Sequence, residues 1–135
     1  MDLPPAGPLP APAAEVRRDF DGTPGCIAEA RAAADAFLAR HAPQAGPTFH
    51  DDVLLVVSEL VTNAVRHAPG PLVLELGLAP GGVLVGVRDR EPRPPHSRVP
   101  DLTGGHGWPI VQRLSRRVDV TPDGEGKTVR AELAW

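Results

Sequence analysis

Apolar residues recur at helical spacing through much of the first half of the chain. Two stretches show this best, Cys26–His41 and Asp51–Ala68, and in the second the apolar positions form a broad stripe. A repeat of three to four residues puts apolar side chains on one face of a helix, so the pattern predicts two amphipathic helices. Oxygen-bearing and acidic side chains suit a helix start, and we expect Thr48 or His50, with the Asp51-Asp52 pair, to begin the second helix.

Alternation of apolar and polar residues follows, which is typical of strands that bury one face. Leu72–Leu78 and Val83–Asp89 alternate on either side of a Gly-Gly turn and predict a β-hairpin. After a long loop we expect a short helix at Trp108–Arg117. Two final strands, Val118–Val120 and Thr128–Trp135, are predicted to close the chain as a second hairpin.

The remaining segments complete the predicted organisation. Met1–Ala14 carries five prolines and no periodicity, and we interpret it as a flexible tail. Glu15–Phe20 alternates weakly, as an edge strand would, and the proline-rich segment Arg90–His106 has the length of a functional lid. Because helices and hairpins come in separate runs, we expect an α+β fold in residues 15–135, a two-layer sandwich of three helices on a mostly antiparallel sheet.

Composition excludes several classes of protein. A chain of 135 residues with a net charge of −3 fits one domain and shows no basic footprint for direct nucleic-acid binding. No apolar stretch approaches the roughly 20 residues of a membrane helix, and no secretory signal is visible. Cys26 is the single cysteine, which excludes an internal disulfide, and we expect it to pack in the core rather than serve as a reactive thiol. These features predict a cytoplasmic domain that does not bind a membrane.

Three polar residues lie four positions apart on the longest predicted helix, Glu59, Asn63 and His67. This spacing stacks them on one stripe at the rim of the apolar face. A carboxylate and an amide one turn apart could hold a water and a divalent cation with its phosphate ligands. The alternative is an ordinary solvated helix edge, and the spacing alone does not decide between the two.

Asp89 ends the second strand of the first hairpin with the same parity as the apolar valines before it. It should therefore point inward, and a buried carboxylate is costly unless a donor pairs with it. The exocyclic amine of a purine base would be such a donor. Alternatively, the strand ends early and Asp89 caps the loop that follows.

Glycines supply two further candidate motifs. Gly104–Gly107 (GGHG) stands directly before the last predicted helix, where converging backbone N–H groups favour an anion such as a phosphate. Gly126–Thr128 (GKT) imitates the end of a P-loop, but it runs into a strand, whereas a P-loop opens a helix. It is therefore not a Walker site. The five histidines show no metal-ligand spacing.

Four segments resemble, in order and spacing, the nucleotide-binding boxes of the GHKL ATPase superfamily. They are Glu59–Ala68 (ELVTNAVRHA), Val87–Pro92 (VRDREP), Gly104–Gly107 (GGHG) and Gly126–Thr128 (GKT). The likeness covers residues 26–135 and is greatest to the single-domain anti-sigma-factor serine kinases. The helix motif of that branch has much the same sequence as Glu59–Ala68. That branch also shares the run after Asp89, where the wider superfamily has glycines.

The resemblance implies the GHKL, or Bergerat, ATP-binding fold and assigns roles by position. Asn63 would ligate a Mg²⁺ ion that bridges the phosphates of ATP, and Glu59 would be the general base. Asp89 would accept from the adenine amine, with Thr128 assisting through a water.

The same resemblance implies residues at the phosphate end of the nucleotide. Gly105 and Gly107, on either side of His106, would let the lid close on the phosphates. Arg66 and His67, further along the helix from the metal ligand, would line the mouth of the pocket.

Two functions of different classes follow from the resemblance. In the first, the protein is an ATP-dependent protein-serine/threonine kinase that phosphorylates an anti-sigma antagonist protein and binds a sigma factor, and a homodimer is compatible with this function. In the second, it is a non-catalytic ATP-binding or partner-binding module whose nucleotide only shapes a surface. Glu59 favours the kinase, because a binding module has no need of a base.

Overall fold

Five strands form one sheet in the computed structural model, which describes residues 16–91, 93 and 107–135. The strands are β1 (Val16–Phe20), β2 (Leu72–Ala79), β3 (Gly82–Asp89), β4 (Arg117–Pro122) and β5 (Lys127–Ala134). Their order across the sheet is β1-β2-β3-β5-β4, and every neighbouring pair is antiparallel. The helices are α1 (Cys26–His41), α2 (Pro47–His67) and α3 (Gly107–Leu114), with a 3-10 turn at Pro43–Ala45. The predicted α+β fold is confirmed, and β1 lies at the edge of the sheet as expected.

Predictions for the tail Met1–Ala14 and for most of the lid, including Gly105 and His106, concern residues outside the described part of the chain. Among the helices of the described part, none combines the length and the apolarity that crossing a membrane requires.

Helix α2 begins at Pro47, four residues before the predicted start at Asp51. Gly46 precedes it with a φ of 90°, a conformation that glycine adopts without strain. Proline suits the first helical position, because the N–H that it lacks would have no partner there. The predicted start at Thr48 or His50 is wrong, since both residues lie inside the first turn.

Helix α3 ends at Leu114, three residues earlier than predicted, and β4 starts at Arg117. The backbone explains the difference. Arg116 donates its N–H to the carbonyl oxygen of Glu132 at 2.7 Å, and Arg117 then pairs with Glu132 in the sheet. Pairing with β5 satisfies backbone groups that a further helical turn would otherwise have used.

The core lies between the sheet and the helices α1 and α2. β2 contributes alternate leucines and β3 alternate valines, all of them buried: Leu72, Leu74, Leu76, Val83, Val85 and Val87. Small residues of α1 and valines of α2 pack against them. Leu78 has the same parity but lies near the hairpin turn, where it is 43% exposed. Alternation thus predicts the face on which a residue lies, and the position along the strand decides how deeply it is buried.

Cys26 is buried in this core at the first residue of α1, as predicted. Burial raises the pKa of its thiol. Because the thiolate is the reactive form of cysteine, the position agrees with a packing role.

The outer face of the sheet carries charges of alternating sign. One row of neighbouring positions across the five strands consists of Arg17, Glu75, Gly86, Arg130 and Asp119. Within this row the guanidinium of Arg17 lies 3.2 Å from the carboxylate of Glu75. Opposite charges on neighbouring strands attract weakly, and such a face favours water over a second apolar layer. The charges therefore agree with a sandwich of two layers.

Leu74→Ala should lower the free energy of unfolding by about 2–5 kcal/mol, because the change removes a fully buried leucine and leaves a cavity. Leu78→Ala, on the same strand, is the matched control and should cost less than about 1 kcal/mol, since Leu78 lies at the surface and is 43% exposed. Urea denaturation followed by circular dichroism measures both. Equal losses at the two positions would contradict this assignment of the core.

Candidate functional site

One end of the sheet gathers several of the predicted site residues. Helix α2 ends a few residues before β2 begins, and β2 begins beside the end of β3 because the two strands are antiparallel. The last turns of α2, with Asn63 and His67, therefore lie at the end of the sheet that carries Asp89. β5 starts at the same end, because Lys127 pairs with Asp89.

Glu59 lies where α2 meets the first residue of α3. A Cβ at Gly107 would meet the carboxylate of Glu59, so this carboxylate lies beside the first residue of α3. The N-terminus of a helix carries a partial positive charge that favours a neighbouring carboxylate. The predicted general base and the last glycine of the predicted phosphate motif are therefore neighbours.

The predicted site residues of α2 lie at different depths. Glu59 and Asn63 are half-buried and lie one turn apart. Arg66 and His67 are exposed at the end of the helix. The structure thus places the predicted base and metal ligand at the border of the core, and the two basic residues at the surface, where the mouth of a pocket would be.

Asp89 points inward, as predicted, and is 4% exposed. Its charge is matched by Lys127, whose Nζ lies 3.0 Å from Oδ1 and 2.9 Å from Oδ2. The same ammonium donates to the carbonyl oxygen of Glu91 at 2.9 Å. The N–H of Glu91 in turn donates to Oδ1 of Asp89 at 2.8 Å. Removing one partner of a buried pair leaves the other charge uncompensated, so this pair constrains the end of the sheet.

Both alternatives considered for Asp89 hold in part. β3 runs to Asp89 and buries it, and its Oδ1 also caps the turn that follows through the N–H of Glu91. Lys127 is the residue of this site that the sequence pattern did not single out. A signal was available, because Lys127 shares the parity of the apolar residue Val129 and would face inward with it.

Thr128 does not lie beside Asp89. It pairs with Arg88, the residue before Asp89, and cross-strand partners share a face, so Thr128 lies on the outer face of the sheet. Gly126 approaches more closely, because a side chain there would collide with the carbonyl oxygen of Asp89. The GKT segment thus meets Asp89 through its glycine and its lysine.

Two ion pairs flank Asp89 at the surface. Arg93 donates from Nε to the carboxylate of Glu91 at 2.8 Å, and hydrogen bonds from the Arg93 side chain and backbone lower the pKa of Glu91 to about 2. Arg88 lies 2.7 Å from Asp123, and its hydrogen bond lowers the pKa of that carboxyl. Both carboxylates are therefore ionised at neutral pH, and the second ties the β4–β5 turn to β3.

A divalent cation at this end would rely on few protein ligands. In the ranges that the structure describes, no three His, Cys, Asp or Glu side chains cluster as a metal site. Mg²⁺ bound with phosphates usually keeps several waters and takes one or two protein ligands. The amide oxygen of Asn63 and the carboxylate of Glu59 are oxygen donors of the kind that such an ion accepts. The residues present therefore fit Mg²⁺, with Asn63 still a predicted ligand.

Comparison with known proteins gives this arrangement a family context. The family model described as a histidine kinase-like ATPase domain matches residues 20–133, which is most of the chain. No curated protein matches the chain.

Three of the solved structures that match the chain come from bacteria. The RsbU and RsbW domains of Rv1364c from Mycobacterium tuberculosis match with a TM-score of 0.65 and 21% identity over 88% of this chain and 32% of that one. This chain thus spans about a third of that protein's structure. The histidine kinase domain of a blue-light activated histidine kinase from Erythrobacter litoralis EL346 matches with a TM-score of 0.45 and 27% identity, over 64% of this chain and 44% of that one. The histidine kinase AdeS from Acinetobacter baumannii matches with a TM-score of 0.48 and 14% identity, over 88% and 67%. The first of these supports the fold.

Lys127→Met should lower the free energy of unfolding by about 3–5 kcal/mol, because it leaves the buried carboxylate of Asp89 without its counter-ion. Arg88→Met is the matched control on the neighbouring strand. It breaks the ion pair with Asp123, and it should cost far less because those side chains are 41% and 38% exposed, against 6% for each partner of the buried pair. Urea denaturation measures both variants. A loss for Lys127→Met no larger than that for Arg88→Met would show that the buried pair does not constrain the fold.

Proposed function

Because this chain belongs to the family of histidine kinase-like ATPase domains, we propose that it binds ATP with Mg²⁺ and acts as a protein-serine/threonine kinase of the anti-sigma-factor type. Its substrate would be a serine or threonine of an anti-sigma antagonist protein, and a sigma factor would be its second partner. The proposal goes beyond family membership, which gives a kinase-like ATPase domain, to one acceptor and one set of partners.

The observation that carries the proposal is a carboxylate at the contact between α2 and α3. Glu59 is half-buried, it lies one turn before Asn63, and its neighbour is Gly107 at the start of α3. A chain that only bound nucleotide would need no base at this place. The position therefore supports phosphoryl transfer more than it supports simple binding.

The residues present would hold the nucleotide from both ends. Asp89 would accept a hydrogen bond from the amino group of adenine, and Asn63 would hold Mg²⁺ through its amide oxygen. When bound, Mg²⁺ neutralises charge on the phosphates. Gly107, the first residue of α3, would present its backbone N–H to a phosphate oxygen.

Glu59 would act on the acceptor hydroxyl. As the Oγ atom of the substrate serine or threonine forms its bond to the γ-phosphorus and the bond to ADP breaks, the carboxylate of Glu59 takes the hydroxyl proton. Residues four apart on a helix face the same side, so Glu59 and Asn63 can be directed at one phosphate group. Positioning and proton removal would then be contributed by one helix.

The proposed partners are supported by the sequence of α2 more than by the solved structures to which the chain is similar. The run ELVTNAVRHA resembles the nucleotide-binding motif on the corresponding helix of the anti-sigma-factor serine kinases. The similar M. tuberculosis structure contains RsbU and RsbW domains, of which this chain covers only part. Such partners would place the protein in the cytoplasm, and a homodimer is compatible with them. A module whose nucleotide only shapes a partner-binding surface is the competing function.

Glu59→Gln should bind ATP nearly as tightly as the wild type yet transfer phosphate about 10²- to 10⁴-fold more slowly, because an amide cannot take the hydroxyl proton. Glu29→Gln, on the exposed side of α1, is the matched control and should keep the full rate. The measurement is transfer of the labelled γ-phosphate of ATP to a sulfate-transporter-and-anti-sigma-antagonist-like domain, beside a titration of each variant with ATP.

Two outcomes would count against the proposal in different ways. Transfer at equal rates by Glu59→Gln and the wild type would remove Glu59 from the mechanism. Firm ATP binding by the wild type with no transfer to the antagonist domain would favour the binding module.

A further inference from the structure

Lys127 uses its whole donor capacity inside the protein. Its ammonium has three protons, and three acceptors surround it: Oδ1 and Oδ2 of Asp89, at 3.0 and 2.9 Å, and the carbonyl oxygen of Glu91 at 2.9 Å. The residue is 5% exposed. To reach a bound base, the ammonium would have to give up one of these acceptors. Lys127 is therefore suited to act through Asp89 rather than on a ligand directly.

The same contacts leave Asp89 with little free capacity. An ionised carboxylate offers about four acceptor positions, two on each oxygen. Oδ1 accepts from Lys127 and from the N–H of Glu91, and Oδ2 accepts from Lys127. Within the part of the chain that the structure describes, a single position on Oδ2 is thus left for a ligand.

A single acceptor position fits adenine better than guanine. Adenine presents an amino group at C6, and one of its N–H groups needs one acceptor. Guanine presents its N1–H and its 2-amino N–H side by side, and a carboxylate satisfies both only by using both oxygens. With Oδ1 filled, guanine would bury one donor without a partner, which weakens binding.

We propose that Lys127 is a positioning residue that makes this site select adenine over guanine, by filling the acceptor positions on Asp89 that guanine would need. The proposal rests on the proposed function, in which Asp89 receives the base of a nucleotide. It gives the buried ion pair a role in recognition in addition to its role in the sheet.

The test compares the dissociation constants of MgATP and MgGTP for the wild type, Lys127→Met and Lys127→Arg by isothermal titration calorimetry. The wild type should bind ATP about tenfold or more tightly than GTP, which is the effect of one unpaired donor. Lys127→Met frees positions on both oxygens and should bring the ratio close to one. Lys127→Arg should keep the ratio, because a guanidinium donates to both oxygens of a carboxylate. A purely structural role would weaken both nucleotides alike and leave the ratio unchanged.

Lys127→Ala keeps the test decisive if Lys127→Met does not fold. Its side chain donates no hydrogen bond and leaves room for water beside the carboxylate, so its ratio should fall in the same direction. An unchanged ratio in a folded Met or Ala variant, or equal binding of ATP and GTP by the wild type, would overturn the inference and leave nucleotide binding intact. A wild type that binds neither nucleotide would overturn the proposed function, and this inference with it.

Discussion

A carboxylate buried at the end of a strand is the constraint on which the rest of this structure depends. The carboxylate of Asp89 is removed from water, and an unpaired charge in the interior of a protein is very costly. The ammonium of Lys127, on the neighbouring strand, compensates this charge. For the ammonium to reach both oxygens, β5 must start opposite the end of β3, and Gly126 permits that approach. The ion pair therefore requires the register in which β3 and β5 are paired along their whole length.

That register gives the candidate groups a common location. Because α2 leads into β2, and β2 pairs with β3, the polar stripe of Glu59 and Asn63 runs toward the Asp89 end of the sheet. Helix α3 begins against Glu59 and adds the N-terminus of a helix. A cation ligand and a general base one turn apart on α2, and a base-binding carboxylate at the end of β3, would thus be brought to one end of the sheet.

Periodicity predicted the number, kind and order of the elements but missed some of their ends. Nothing in the local pattern shows that a helix can begin at Pro47 or that strand pairing ends α3 at Leu114. At the site, parity predicted correctly that Asp89 faces inward. Its partner depends on the register between two strands distant in sequence, and a step of one residue along a strand changes the face. The resemblance therefore directed attention to Thr128, although Lys127 is the residue opposite Asp89.

The most direct test of base binding by Asp89 is the affinity of Asp89→Asn for MgATP, measured by titration calorimetry beside the wild type. Circular dichroism first establishes that both proteins are folded. We expect the wild type to bind ATP and Asp89→Asn to bind it about 10- to 100-fold more weakly, because the variant loses a hydrogen bond to a charged acceptor. A folded Asp89→Asn that binds ATP as tightly as the wild type would contradict this assignment, as would a wild type that does not bind ATP.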